Sequence, residues 1–403
     1  MISYEDFDLR FSADGGGFVI SAEYRGSRTT EPFDLDMSRR WNLWEPEESG
    51  PRDAMKMGTE LFGALIQGSV LALYGDARGR AGDDPEKGVR IRIQINPKEP
   101  RLRPFQAVPW EILFDSLRAA GKYVGLDPRM PIVRMLDSVM ETLPEPSEMP
   151  LRVLLAVADP RLSVVLDLES ELSKVEKALA EAKIRPTVLR QATRESLGKH
   201  IRDGRFHVVH FLGHGDFTSG SEEGSLILEK ERASPDPLSA SEFAALFEGQ
   251  SMPRLVVLNA CRTAEQCRGT GVRPYAGVAA ALIAEGLPAV VAMQTAVRDR
   301  SASPFAERLY ERLSQGDSIE SAVVEGRKIL KARWSEFVDW AVPVLFVRGR
   351  AGEGGGQHPV AVPPLNAASA QAQPTGPINF GSTTINAKAE KQVIASQIGV
   401  VNF

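Results

Sequence analysis

Leu255-Val256-Val257-Leu258-Asn259-Ala260-Cys261-Arg262-Thr263 decides the fold. Four consecutive apolar residues predict a strand buried on both faces, and Asn259 marks the point where it must stop. The same pattern recurs in His207-Val208-Val209-His210-Phe211-Leu212-Gly213-His214-Gly215, where an apolar strand runs into a histidine held between glycines. Strands buried on both faces belong to a mostly parallel sheet covered by helices. Ligand and catalytic groups in such sheets gather beyond the carboxyl ends of the strands.

Outward from these two stretches, residues 151–348 keep alternating strand and helix. Residues 151–157, 187–189, 226–228, 287–293 and 342–347 are apolar and read as further strands. Leu168, Leu172, Val175 and Leu179 form a helical stripe, and helices are expected over 241–247, 276–284, 304–313 and 319–332. The alternation predicts an α/β domain over 151–348.

Residues 1–145 read as a first α/β lobe. Apolar residues at near-helical spacing predict a helix over 55–74. The run Val89-Arg90-Ile91-Arg92-Ile93-Gln94-Ile95 alternates strictly, so it reads as a half-buried strand with Arg90 and Arg92 on a solvated face. Arg101 and Arg103 are read the same way. Pro109-Trp110-Glu111-Ile112-Leu113 and Pro131-Ile132-Val133-Arg134 read as short strands, with Trp110 and Trp340 as core aromatics. Three prolines between Leu143 and Pro150 mark a linker. Residues 349–377, with Gly354-Gly355-Gly356, read as a flexible linker. The tail, 378–403, is β-prone and too small for a core, so partner binding or self-association is expected of it.

Composition narrows the function. Of 403 residues, 48 are basic and 53 acidic, a net charge of −5, which argues against a nucleic-acid protein built on a basic surface. No apolar run approaches the roughly 18 residues of a membrane span, and the acidic N-terminus lacks signal-peptide features, so a cytoplasmic protein is expected. Cys261 and Cys267 are the two cysteines, too few for a disulfide framework.

His214 and Cys261 each stand just past an apolar strand. A Cys–His pair suits acyl transfer through a thioester: the imidazole takes the thiol proton and later protonates the leaving amine. The backbone N–H groups of Gly215 and Cys261 are candidates for an oxyanion hole. On spacing alone, structural and catalytic readings of the pair both stay open. His207 and His210 fall on opposite faces of their strand, so they do not converge on a metal. His210 is expected to be a hydrogen-bonded core residue, His207 structural, Cys267 a bystander, and Glu171 part of a solvated helix face. No metal or cofactor is expected.

The segments His210-Phe211-Leu212-Gly213-His214-Gly215 and Asn259-Ala260-Cys261-Arg262-Thr263 resemble the two signature motifs of CHAT-domain proteins, caspase-like cysteine peptidases of the clan that holds separase. Pro109-Trp110-Glu111, the stretch Gly286 to Gln294, Asp299 and Trp340 to Pro343 are similar to further family patterns, so the likeness covers about 55–348. It implies a caspase-like fold whose first lobe is pseudo-peptidase-like and non-catalytic, with His214 and Cys261 as the dyad. It also implies an intracellular cysteine endopeptidase acting on a protein substrate. Such proteins serve bacterial defence or cell death and are switched on by a sensor or partner protein. In related peptidases the residue two before the nucleophile lines the substrate pocket. That residue is Asn259 here, with Gln294, Thr295 and Asp299 as further candidate pocket residues. A non-enzymatic scaffold and a thiol acyltransferase are the alternative readings.

Overall fold

Phe7, Leu9 and Phe11 alternate with polar residues, and a period of two buries one face of a strand. The computed structural model describes residues 2–35, 49–96, 99–138, 151–160, 167–216, 224–248, 252–259, 274–294 and 299–350. The three aromatic and aliphatic residues lie on β1 (Ser3–Asp14), which pairs antiparallel with β2 (Gly17–Tyr24), itself paired with β3 (Ser27–Phe33). Arg25 (φ 51°) and Gly26 (φ 82°) are both left-handed, as a two-residue hairpin turn of the primed type requires. These three strands carry no signal in the reading above, which begins its structure near residue 55.

Where one helix is expected over 55–74 there are two, α1 (Pro51–Leu65) and α2 (Gly68–Asp83). Ile66 leaves the helical region (φ −113°, ψ 78°) and Gln67 is extended, so the chain turns between them. β4 (Lys87–Gln94) is a strand as expected, but Arg90 is buried and Arg92 only partly exposed. Arg90 is buried between Asp6 (2.7 Å) and Glu320, and Arg92 pairs with Asp6 (3.0 Å) and Asp8. The arginine face of the strand is therefore largely covered by acidic partners. The expected strand at Pro109 is a tight 3₁₀ turn, Trp110–Ile112. Proline has no N–H for a ladder, and the amides of Ile112 and Leu113 bond back to Pro109 O (3.0 Å) and Trp110 O (3.1 Å). A small hairpin of β5 (Phe114–Asp115) and β6 (Lys122–Tyr123) precedes β7 (Ile132–Ser138).

The second region runs β8 (Val153–Val157), α3 (Leu168–Glu181), β9 (Thr187–Leu189), α4 (Arg194–Gly204), β10 (Val208–Leu212), β11 (His214–Asp216), β12 (Ser225–Lys230) and β13 (Ser234–Ser239). It continues with α5 (Ala240–Ala245), β14 (Leu255–Asn259), α6 (Pro274–Ala284), β15 (Ala289–Met293), α7 (Asp299–Ser314), α8 (Ile319–Arg333) and β16 (Pro343–Arg350). α4, absent from the reading above, starts at a capping box between Thr193 and Ser196.

One sheet of eleven strands results, in the order β3-β2-β1-β4-β7-β16-β15-β14-β10-β8-β9. β8, β9, β10, β14 and β15 run parallel to one another. β16 runs antiparallel to β15 but parallel to β7, and β7, β4 and β1 keep that direction. The mostly parallel α/β fold is therefore as expected. β16 also joins the two regions into one sheet, and the C-terminal ends of β10, β14 and β15 share an edge with the starts of β16 and β7. Alternate residues of each strand feed two cores. Leu155, Val208 and Val257 belong to the core that also holds the buried residues of α1, α2, α3, α7 and α8, and Leu154, Val209 and Val256 to the core that holds those of α4, α5 and α6. The two linkers and the tail 378–403 fall outside the described residues, save 349 and 350. Among the described residues no helix is long and apolar enough to cross a membrane.

His210 sits in the first core with its Nδ1 2.8 Å from the Tyr310 hydroxyl of α7. Its Nε2 has no partner among the described residues, so a second ring proton would be buried without an acceptor. Burial pushes the pKa down to about 3. An unfolded histidine gains its proton near pH ~6.5, so stability is retained above that value and falls as pH drops from there toward the folded value. From pH ~6.5 to ~5 this one residue should remove about 2 kcal/mol. Urea unfolding at pH 7 and pH 5 should show a loss smaller by about that amount in His210→Gln. Parallel losses in both proteins would refute the burial account.

Candidate active site

β10 ends where the chain must leave the sheet closely packed. The Ala158 amide donates to Leu212 O (3.0 Å) and the Gly213 amide to Asn259 O (3.4 Å), so Gly213 lies between two neighbouring backbones. A Cβ at Gly213 would lie 2.7 Å from the Ala158 carbonyl oxygen, which leaves room for glycine alone. His214 follows at once and opens β11, which pairs with β12 through His214↔Ile227 and Gly215↔Leu226.

The His214 side chain is 1% exposed, and neither ring nitrogen has a partner among the described residues. Burial lowers its pKa from the ordinary histidine value, and the Asp159 carboxylate works in the opposite direction. The imidazole is therefore neutral at physiological pH, the state in which it can take a proton. Asp159 is held by its own backbone, whose amide donates to Glu229 Oε1 on β12 at 2.8 Å.

Leu212 of β10 pairs with Asn259 of β14. His214 and Cys261 each follow that shared rung by two residues. Cys261, the second oxyanion candidate, and Thr295, a candidate pocket residue, lie outside the described residues, as does Cys267. Asp299 is the first residue of α7.

Asn259 and Gln294 are both buried at strand ends, in different settings. Asn259 Nδ2 donates to Glu171 Oε1 of α3. Glu171 is only 8% exposed, so the expected solvated face is corrected here. It stands at the i+3 position of the stripe begun by Leu168, the one sequence signal that points it inward. Gln294, the residue after β15, lies against Arg134 of β7. With its amide oxygen toward the guanidinium it accepts from Nη1 at 2.9 Å and from Nη2. Arg134 in turn donates to Glu111 through Nε (3.2 Å) and Nη2 (2.8 Å). Arg327 of α8 approaches Glu111 at 3.9 Å and donates through Nη2 to Pro343 O at 2.8 Å. The Pro109-Trp110-Glu111 segment is thus a buried anchor for the edge on which β15, β16 and β7 meet.

Comparison with solved structures returns separase in the Saccharomyces cerevisiae separase–securin complex, at 12% identity and a TM-score of 0.41, covering 86% of this chain and 30% of that one. The Drosophila initiator caspase Dronc gives 9% identity and a TM-score of 0.28 over 48% of this chain and 78% of that chain. A structure described as a protease gives 14% and 0.42, over 70% and 68% respectively. This chain spans less than a third of the separase chain's length. No curated protein matches it. The CHAT domain model matches residues 56–346, most of the chain and all the strand ends described above, and the chain belongs to the CHAT domain family.

Proposed function

We propose that this protein is a cysteine endopeptidase in which His214 activates Cys261 for attack on a peptide carbonyl. The observation that carries the reading is the Leu212↔Asn259 rung, with His214 and Cys261 each two residues beyond it. Two residues of chain reach at most about 7 Å and neighbouring strands lie about 4.8 Å apart, so the two segments leave the sheet from adjacent strand ends, which supports the pairing. His214 supports the role chemically, being neutral and having both ring nitrogens without a partner among the described residues. The sulfur attacks the carbonyl carbon and the Cys261 proton passes to the imidazole. Collapse of the tetrahedral species expels the amine with that proton and leaves a thioester, which water hydrolyses. The amides of Gly215 and Cys261 are the proposed donors to the oxyanion. CHAT membership supports a regulated role on a protein substrate, in defence or cell death.

The direct test is a search for new protein N-termini in cells expressing wild type or Cys261→Ala. Termini present only with wild type are expected, and identical sets would overturn the reading. The pH profile gives a second check. Because burial lowers the His214 pKa, the acid limb of kcat/KM should fall below pH ~6.5. Asp159 raises that pKa, so Asp159→Asn should move the limb to still lower pH. A limb moving upward would place the titration elsewhere.

A further inference from the structure

We infer that Glu229 of β12 is a positioning residue of this site, holding Asp159 so that its carboxylate stays within electrostatic reach of the His214 imidazole; the inference rests on the role given to His214 above. Glu229 is 5% exposed and accepts at Oε1 from the Asp159 amide at 2.8 Å, a charge-assisted bond stronger than a neutral one. Its own amide donates to Ala192 O (2.9 Å), and the Ala192 amide donates to Val157 O (2.8 Å). With the covalent chain from Val157 to Asp159, these three bonds close a ring. The ring ties β12 to the segments that leave β8 and β9. Ala158 lies inside it, and its amide donates to Leu212 O, two residues before His214.

The same strand holds the histidine. His214 pairs with Ile227, and Glu229 stands two residues further along β12. Antiparallel partners share a face, as do residues two apart on one strand, so His214, Ile227 and Glu229 point to one side. Leu226 and Leu228 point to the other, into the second core. β12 thus fixes His214 through its backbone ladder and Asp159 through one side chain. Asp159 is itself exposed, and its carboxylate makes no hydrogen bond among the described residues, so its anchored backbone sets where that carboxylate stands. A carboxylate near the base stabilises the imidazolium that forms when the base takes its proton. Few other charges face His214 from the described elements around it. α6, which packs on β11, carries none, β12 adds only Glu229 and the exposed Lys230, and β11 itself carries Asp216.

The test titrates His214 in the full chain by NMR. Carbon-13 at Cε1 of histidine gives five ring signals, and the His214 signal is the one lost in His214→Ala. Asp159 raises the His214 pKa, so a variant that frees Asp159 should lower the midpoint. Glu229→Met, of similar length but without the oxygen acceptor, should shift it downward, as Asp159→Asn does. Combined with Asp159→Asn it should add no further shift, because the two changes act through one carboxylate. Glu229→Gln keeps an acceptor for the Asp159 amide and should keep most of the wild-type midpoint. An unmoved midpoint in Glu229→Met, a further shift in the double variant, or a Glu229→Gln protein displaced as far as Glu229→Met would each overturn the inference. If Glu229→Met does not fold, hydrogen exchange of the Asp159 amide in wild type decides: slow exchange is expected, and exchange as fast as in an unfolded chain would overturn it. None of these readouts needs turnover or Cys261. Midpoints that behave as expected in a protein that cleaves nothing would therefore sink the peptidase reading alone.

Discussion

Cys261→Ala and His214→Ala are each expected to lower peptide hydrolysis by on the order of 10⁴-fold, with the double variant scarcely worse than either single one. A nucleophile and its base act as a unit, so their losses do not add. Neither change should damage the fold much. The His214 ring makes no side-chain hydrogen bond among the described residues, so its removal leaves no partner there unsatisfied. Cys261→Ala should therefore melt close to wild type, and His214→Ala, whose ring is buried, should lose only the packing of that ring while turnover disappears. Cys267→Ala serves as the control and should keep most of the activity. Turnover in Cys261→Ala at the wild-type rate would remove Cys261 from the mechanism. Turnover retained in folded His214→Ala would instead make that residue structural.

Glu111→Ala should do the opposite, acting first on stability. Its carboxylate is 0% exposed and lies between Arg134, bonded at 2.8 and 3.2 Å, and Arg327 at 3.9 Å. Burial already pushes the Arg327 pKa down to about 10, and Glu111 is the group that works against that shift. Removing the carboxylate leaves two buried guanidinium groups without their counter-ion, which should cost about 3–5 kcal/mol. Against a typical total of roughly 5–15 kcal/mol, a large loss of soluble protein follows. Arg327→Met in the same chain should recover part of the loss, because it removes one of the charges Glu111 had balanced. Denaturant midpoints for the single and double variants measure the coupling directly. Additive losses would mean that Arg327 and Glu111 do not sense each other. The same carboxylate holds Arg134 against Gln294 at the end of β15, so any Glu111 variant that folds should also change the pocket side of the site.

Local pattern was enough for the elements that carry the site. Apolar runs of four or five residues make β14 and β15 recognisable as strands buried on both faces, and β10 reads the same way around the single polar residue His210. The stop at Asn259 and the glycines around His214 mark where those strands end. The Gly213 requirement is tertiary in origin, because the Ala158 carbonyl that enforces it comes from the residue after β8. Pro109 is the counter-example: the segment Pro109-Trp110-Glu111-Ile112-Leu113 reads as a short strand, but an imino acid at its head and bonds from Ile112 and Leu113 back onto the same segment close it into a turn.

Charged residues could not be read in this way, since burial of a charge depends on a partner that the neighbouring sequence does not contain. Glu171 reads as solvated until Asn259, 88 positions away, supplies a donor. Arg90 reads as a strand's wet face until Glu320, 230 positions away, covers it from α8. Glu111 needs Arg134 and Arg327 from two further elements. The reversal of strand direction at β16 is of the same kind, because periodicity gives a strand its two faces but not its neighbour or its sense. The amino-acid sequence by itself determined an α/β chain with a histidine beyond one strand and a cysteine beyond another. Only the tertiary structure decided that the first region continues the same sheet and which carboxylates are drawn inside it, because long-range pairing, not local propensity, compensates a buried charge.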